Sequence, residues 1–151
     1  MKDKSDSDIT DIKGEKGPSS EDIDVIENEY SDKEFKIKIN TPEFTCLCPG
    51  KRDQPDFATI IITYIPKDYL MELKSLKLYY VSYRNIEIFH EEATNKILED
   101  LVEAVKPRYM RVSGDWNIRG GITTNVETEY VDDDWEGDPK NVEIKSTEKD
   151  I

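Results

Sequence analysis

Residues 89–131 read FHEEATNKILEDLVEAVKPRYMRVSGDWNIRGGITTNVETEYV, and this stretch decides the fold. Phe89, Ala93, Ile97, Leu101 and Val105 recur every four positions, with Leu98 and Val102 beside them. That spacing predicts a helix with one apolar stripe. Glu91 and Glu92 fall in its first turn, where the positive end of the helix dipole favours carboxylates. Pro107 ends it, since proline carries no amide hydrogen and its ring clashes with the preceding turn. RYMRVSGDWNI (108–118) and GITTNVETEYV (121–131) then read as two strands joined near Gly120-Gly121.

Upstream, EFKIKIN (34–40) alternates, with Phe35, Ile37 and Ile39 on one face, and predicts a strand. DFATIIITYI (56–65) is rich in β-branched residues, stops at Pro66 and predicts a second. Pro42, Pro49 and Pro55 predict an irregular connection between them. The stretch from Lys67 to Tyr83 is ambiguous. Leu73, Leu76, Tyr80 and Tyr83 have helical spacing, whereas LKLYYVSY would also suit a strand; a helix is the reading adopted. The order β-β-α-α-β-β predicts an α+β fold, an antiparallel sheet with two helices on one face. A single such unit leaves its sheet edges open, and pairing them with neighbours would make a ring.

The chain has 151 residues, which favours one domain, and its hydrophobic and charged shares are both 36%. The net charge of −13 is unevenly spread. Residues 1–32 hold 4 Lys/Arg against 11 Asp/Glu, residues 33–131 hold 14 against 15, and residues 132–151 hold 3 against 8. The expected organisation is an acidic flexible tail (1–32), a folded domain (33–131) and a second acidic tail (132–151). Acidic ends oppose nucleic acid as a direct partner, because phosphate binding needs a basic face. No apolar run approaches a membrane span, and MKDKSDSDIT lacks the apolar region of an export signal. Cys46 and Cys48 are too close in sequence for an unstrained disulfide. A soluble cytoplasmic protein with reduced thiols is expected.

Several residues invite chemistry. Cys48, in FTCLCPG, is expected on a loop between strands, with Lys51 and Arg52 near enough in sequence to favour a thiolate; a buried structural cysteine is the alternative. Asp56 precedes a very apolar strand and suits a general acid, or a plain strand-edge aspartate. His90, the one histidine, has Glu91 beside it at a helix start; the pair suits a polar ligand, or a half-exposed helix terminus. Lys74 and Lys77 share a helix face and with Ser75 suit a phosphate, or are a solvated surface. Arg119 adds a cation beside the flexible Gly120. Cys46, Cys48 and His90 would suit a three-ligand zinc site only in an irregular loop. Neither GxGxxG nor a P-loop occurs.

Taken together, PEFTCLCP (42–49), QPDFATI (54–60), ELKSLKLYY (72–80), SYRN (82–85), FHEE (89–92) and RGG (119–121) resemble the NADPH-dependent 7-cyano-7-deazaguanine reductases of queuosine biosynthesis, in their short single-domain form. ELKSLKLYY is similar to the family's cofactor signature and is the most specific piece. The resemblance implies a tunnelling fold (T-fold), with subunits closing into a ring barrel, sites between subunits, and usually a decamer of two stacked pentamers. It implies Cys48 as the nucleophile that adds to the nitrile carbon to give a thioimide, and Asp56 as the acid that protonates the nitrile nitrogen. Two NADPH would then carry the thioimide through imine to amine. It implies His90 assisting proton transfer, and Glu91 binding the N–H groups of the base. The signature implies Glu72 and Ser75 near the substrate, and Lys74, Ser75 and Lys77 on the cofactor, with Arg119 and Gly120 at a cofactor phosphate. No metal is expected. Two departures stand out. CPGKRDQPD spaces Cys48 and Asp56 one residue wider than the family pattern, which a looped-out residue at 50–53 would absorb. Ala93 stands where some members carry a second cysteine. The rivals are a zinc-dependent T-fold GTP cyclohydrolase, an amidinotransferase acting on a tRNA-borne nitrile, and a non-enzymatic binding ring.

Overall fold

The computed structural model describes residues 17–142. Its frame is a four-stranded antiparallel sheet in the order β2-β3-β5-β6, built from β2 (Ile37–Cys48), β3 (Lys51–Ile65), β5 (Tyr109–Arg119) and β6 (Ile122–Val131). Two helices, α1 (Leu73–Val81) and α2 (His90–Val105), pack against this sheet. The α+β order expected from the sequence is present. A two-residue turn at Gly120 and Gly121, both at positive φ, joins β5 to β6, where glycine pays no Cβ penalty.

The connection from 41 to 55 is not irregular, as its prolines suggested, but strand nearly throughout. β2 and β3 form one long hairpin that turns at Pro49-Gly50. Pro42 is tolerated because β2 is an edge strand and its register slips between Thr41 and Phe44, so the lost amide costs no ladder bond. Pro55 lies beyond Ala58, where β3 stops pairing with β5. Cys48 is consequently the last residue of β2 and not a loop residue.

The expected helix from Lys67 shortens at its start. Tyr69–Met71 form β4, which pairs antiparallel with β1 (Val25–Glu27). A strand partner from the N-terminal segment overrides helical spacing there. That segment also corrects the expected tail. From 17 to 32 the chain forms a short 3-10 turn (Ser20–Asp22) and β1, with Ile23 and Asn28 buried. At the other end, Val142 is buried with Ile65 and Tyr109, and Trp135 packs on Tyr109. A segment of low mean hydropathy docks when a few well-placed apolar residues find a hydrophobic surface. Residues 1–16 and 143–151 of the two expected tails lie outside the described residues.

One main core fills the space between sheet and helices. Phe44, Ile60, Ile62, Tyr64, Met110, Val112 and Trp116 face Leu76, Tyr79, Tyr83, Ile97, Leu101 and Val105. Each large side chain fully removed from water there stabilises the fold by ~1.5–3 kcal/mol. Of the stripe read from the sequence, Ala93, Ile97, Leu101 and Val105 are fully buried, whereas Phe89 precedes the helix as its N-cap and is exposed. Lys106 ends α2 in the left-handed conformation just before Pro107. Among the described residues no helix is long and apolar enough to cross a membrane.

Candidate active site

The site lies where the β2–β3 hairpin, the start of α2 and the β5–β6 hairpin meet. Cys46 on β2 pairs directly with Asp56 on β3, so both point to the helix-covered face. Cys48, two residues further along β2 and past a register break after Leu47, pairs with Lys51 at the hairpin end. Residues 52–54 have no Cα partner on β2, since Leu47 pairs with Pro55 and Cys48 with Lys51. This slack absorbs the wide Cys48–Asp56 spacing.

Asp56 is buried, and both carboxylate oxygens are engaged. Oδ2 is 3.1 Å from His90 Nε2, and Oδ1 is 3.3 Å from Arg119 Nη1. A buried carboxylate needs such partners, because desolvation without them is costly. His90 opens α2, and its ring stacks on the Trp116 indole, with centroids 4.1 Å apart and planes within 5°. Trp116 Nε1 donates to Thr94 Oγ1 (3.4 Å), which donates to the His90 carbonyl oxygen (2.8 Å). Gly114 makes room for this arrangement: a Cβ there would lie 2.8 Å from Thr94 Oγ1 and 2.9 Å from Trp116 Nε1. Trp116, Thr94 and Gly114 were missed from sequence. The signal was a glycine in mid-strand, which marks close approach.

The two cysteines differ in burial. Cys46 is fully buried, and burial, reinforced by Asp56 and Cys48, pushes its thiol up to about 12, so it stays protonated. Cys48 is half-buried at the mouth of the site. Glu87 fixes the adjoining turn by accepting from the Gly50 amide (2.9 Å), and the segment around it runs along the β2 edge at Leu47. Among the described residues no group of three or more His, Cys, Asp and Glu is arranged to hold a metal. Glu91 is exposed in the first turn of α2, and beside it the Phe89 ring is 61% exposed.

The signature residues of 72–77 lie at and within the start of α1. Glu72 caps α1, its two oxygens accepting from the Lys74 amide (2.9 Å) and the Ser75 amide (2.7 Å). Those amides hold its carboxyl below the usual range. Ser75 is buried; its hydroxyl donates to the Glu72 carbonyl oxygen (2.8 Å) and accepts from the Asp24 amide (2.9 Å). Both side chains are held at the helix start, because short polar groups ahead of a helix find its unpaired amides first. Lys74 and Lys77 are exposed. Lys77 lines a cavity of about 350 Å³ between β2 and α1, with Arg84 and the apolar Leu73, Leu76, Tyr80 and Val81. Arg119 is turned onto Asp56, and Gly120 lies in the hairpin turn.

A family model for QueF-like proteins matches residues 55–135, a span that takes in Asp56, His90 and Arg119 and begins after Cys48. A protein of Halorhodospira halophila named NADPH-dependent 7-cyano-7-deazaguanine reductase is 51% identical over 111 residues, covering 74% of this chain and 93% of its own. One of the same name from Thiobacillus denitrificans is 49% identical over 121 residues, 80% of this chain and 86% of its own. Among solved structures, the archaeosine synthase QueF-Like in its apo form superposes with a TM-score of 0.57 at 28% identity, covering 62% of this chain and 91% of that one.

Proposed function

The chain belongs to the QueF-like family, and from that premise we propose that it reduces the nitrile of 7-cyano-7-deazaguanine to the aminomethyl base with NADPH, within queuosine biosynthesis. The observation that carries the reading is the contact of the buried Asp56 with His90 (3.1 Å), on the hairpin whose first strand ends in the half-buried Cys48.

A nitrile is a weak electrophile, so it needs a soft nucleophile on carbon and a proton for nitrogen. Cys48 gives its thiol proton to the Asp56 carboxylate, its sulfur bonds to the nitrile carbon as one C–N π bond breaks, and Asp56 passes that proton to the nitrogen, leaving a neutral thioimide. His90 Nε2, 3.1 Å away, is the path by which Asp56 regains a proton. Cys46, protonated and fully buried, packs beneath them and does not attack. Glu91 accepts hydrogen bonds from the base, and exposed Phe89 offers it a ring face. Lys74 and Lys77 hold cofactor phosphates, while Glu72 and Ser75 fix the helix that presents them. NADPH, when bound, supplies the hydrides. The open edges β2 and β6 suit strand pairing between copies, so a ring homo-oligomer is part of the proposal.

Anaerobic mixing with 7-cyano-7-deazaguanine, without cofactor, tests the reading. A mass gain equal to the substrate and a thioimide absorbance band are expected, both lost in Cys48→Ala, followed by oxidation of two NADPH per substrate. An adduct with no NADPH oxidation would convert the reading to nitrile transfer chemistry, and no adduct would end it.

A further inference from the structure

We propose that Trp116 is a positioning residue for His90, its indole setting the plane in which the imidazole meets Asp56. The inference rests on the reductase reading, since it needs His90 and Asp56 to handle the protons of that reaction.

His90 is the first residue of α2, and its N-cap Phe89 makes no side-chain capping bond. No helical turn precedes His90 for its side chain to lean on, so tertiary contacts set its torsions. Two contacts do so. Asp56 Oδ2 meets the ring edge at Nε2 (3.1 Å), which fixes a distance and leaves the ring able to swivel about that contact. The Trp116 indole covers the ring face, with centroids 4.1 Å apart and planes within 5°, which removes the swivel. The parallel overlap sets this pair apart. The other aromatic pairs among the described residues are inclined by between 40° and 87°, as core rings prefer.

Sheet register brings these groups together. Trp116 on β5 pairs with Ala58 on β3, and Asp56 lies two residues before Ala58 on the same face. Trp116 and Asp56 are therefore diagonal neighbours, a spacing of about 7–8 Å that long aromatic side chains bridge. The indole is itself held. It is fully buried, meets the Phe44 ring edge-on and donates through Nε1 to Thr94 Oγ1. Thr94 Oγ1 donates in turn to the His90 carbonyl oxygen, so one hydroxyl ties the indole to the backbone that carries the imidazole. Preorganisation of this kind matters because a misplacement of about 1 Å can cost on the order of a hundredfold in rate.

The test compares wild type, Trp116→Phe, Trp116→Leu, Thr94→Val, His90→Gln and the Trp116→Leu/His90→Gln double variant as full chains. Steady-state kcat and KM for NADPH are read, beside the mass of the cofactor-free adduct. Trp116→Leu is expected to lower kcat about tenfold, with KM for NADPH changed less than about twofold. Trp116→Phe keeps an aromatic face and should recover most of the rate. In the His90→Gln background, Trp116→Leu should add no further slowing, because the indole acts through the imidazole. A folded Trp116→Leu at wild-type kcat would overturn the proposal with the reductase reading intact. So would slowing in the His90→Gln background as large as in wild type, which would make the indole a packing residue only. Should Trp116→Leu fail to fold, Thr94→Val decides, since it frees the indole without emptying the core: kcat lowered several-fold is expected, and full kcat would overturn the proposal. Absence of any adduct in wild type would instead remove the reductase reading itself, and the proposal with it.

Discussion

The polar residues around Asp56 and those at the start of α1 have similar composition and opposite fates. At the start of α1, Glu72 and Ser75 bond to amides and carbonyls within three residues, apart from one bond to Asp24. Around Asp56, the partners are His90 and Arg119, from elements far apart in the sequence. Carboxylates and hydroxyls at a helix start have unpaired amides within immediate reach, so local bonding wins. A carboxylate on a central strand has its own backbone committed to the ladder, so its side chain is left for long-range partners. The second region therefore joins distant elements, and the first fixes one helix end that carries two exposed lysines.

The largest effect should separate the two cysteines. Cys48→Ala should abolish thioimide formation and turnover, whereas Cys46→Ala should keep turnover within about tenfold, the cost being that of a small buried cavity. Intact mass and NADPH oxidation read both. Equal losses would mean that burial does not distinguish them. The next effect sharpens the role of the Asp56 region. Gly114→Ala places a methyl against Thr94 and Trp116, so the His90 stack must shift. Thioimide formation should fall about tenfold, and stability by ~1–3 kcal/mol, as overpacking does. Denaturant melts beside the rate assay check both, and a full-rate variant would show that the stack does not position His90.

The α1 region should respond through the cofactor instead. Lys77→Ala should raise KM for NADPH several-fold, roughly the loss of one charge-assisted contact, with the cofactor-free thioimide rate unchanged. A slowed thioimide step would merge the two regions. The smallest effect concerns Glu72. Its carboxyl is lowered by the Lys74 and Ser75 amides, so the stability it contributes is present above its ordinary range and fades as pH falls through the lowered value. Glu72→Gln should flatten that acid limb slightly in melts recorded from neutral to acid pH, with thioimide formation untouched at neutral pH. An unchanged acid limb would deny the cap its electrostatic part.

Legibility in the sequence followed the range of the interaction. The α2 stripe, the Gly120-Gly121 turn and the apolar β3 run were legible because their causes sit within a few residues. The long β2–β3 hairpin was not. Three prolines pointed to a loop, but Pro42 falls at a register slip of the edge strand β2, and Pro55 pairs with Leu47 beyond the end of the β3–β5 ladder. β1 and β4 were missed because each is three residues long and is a strand only in the other's presence. Among site residues, Cys48, Asp56 and His90 were legible as chemical types in motif order, and the structure brings Asp56 and His90 into contact. Arg119 was legible as a cation but not as a partner of Asp56.

The sequence by itself determined the α+β order, the helix-covered face and the inventory of reactive groups, because periodicity and side-chain chemistry are local properties. The tertiary structure alone decided which groups meet. A bulge of one residue turned Arg119 toward Asp56, and the glycine at 114 let Trp116 and Thr94 close on His90. Strand register and close packing couple residues tens of positions apart, and no local pattern encodes that coupling.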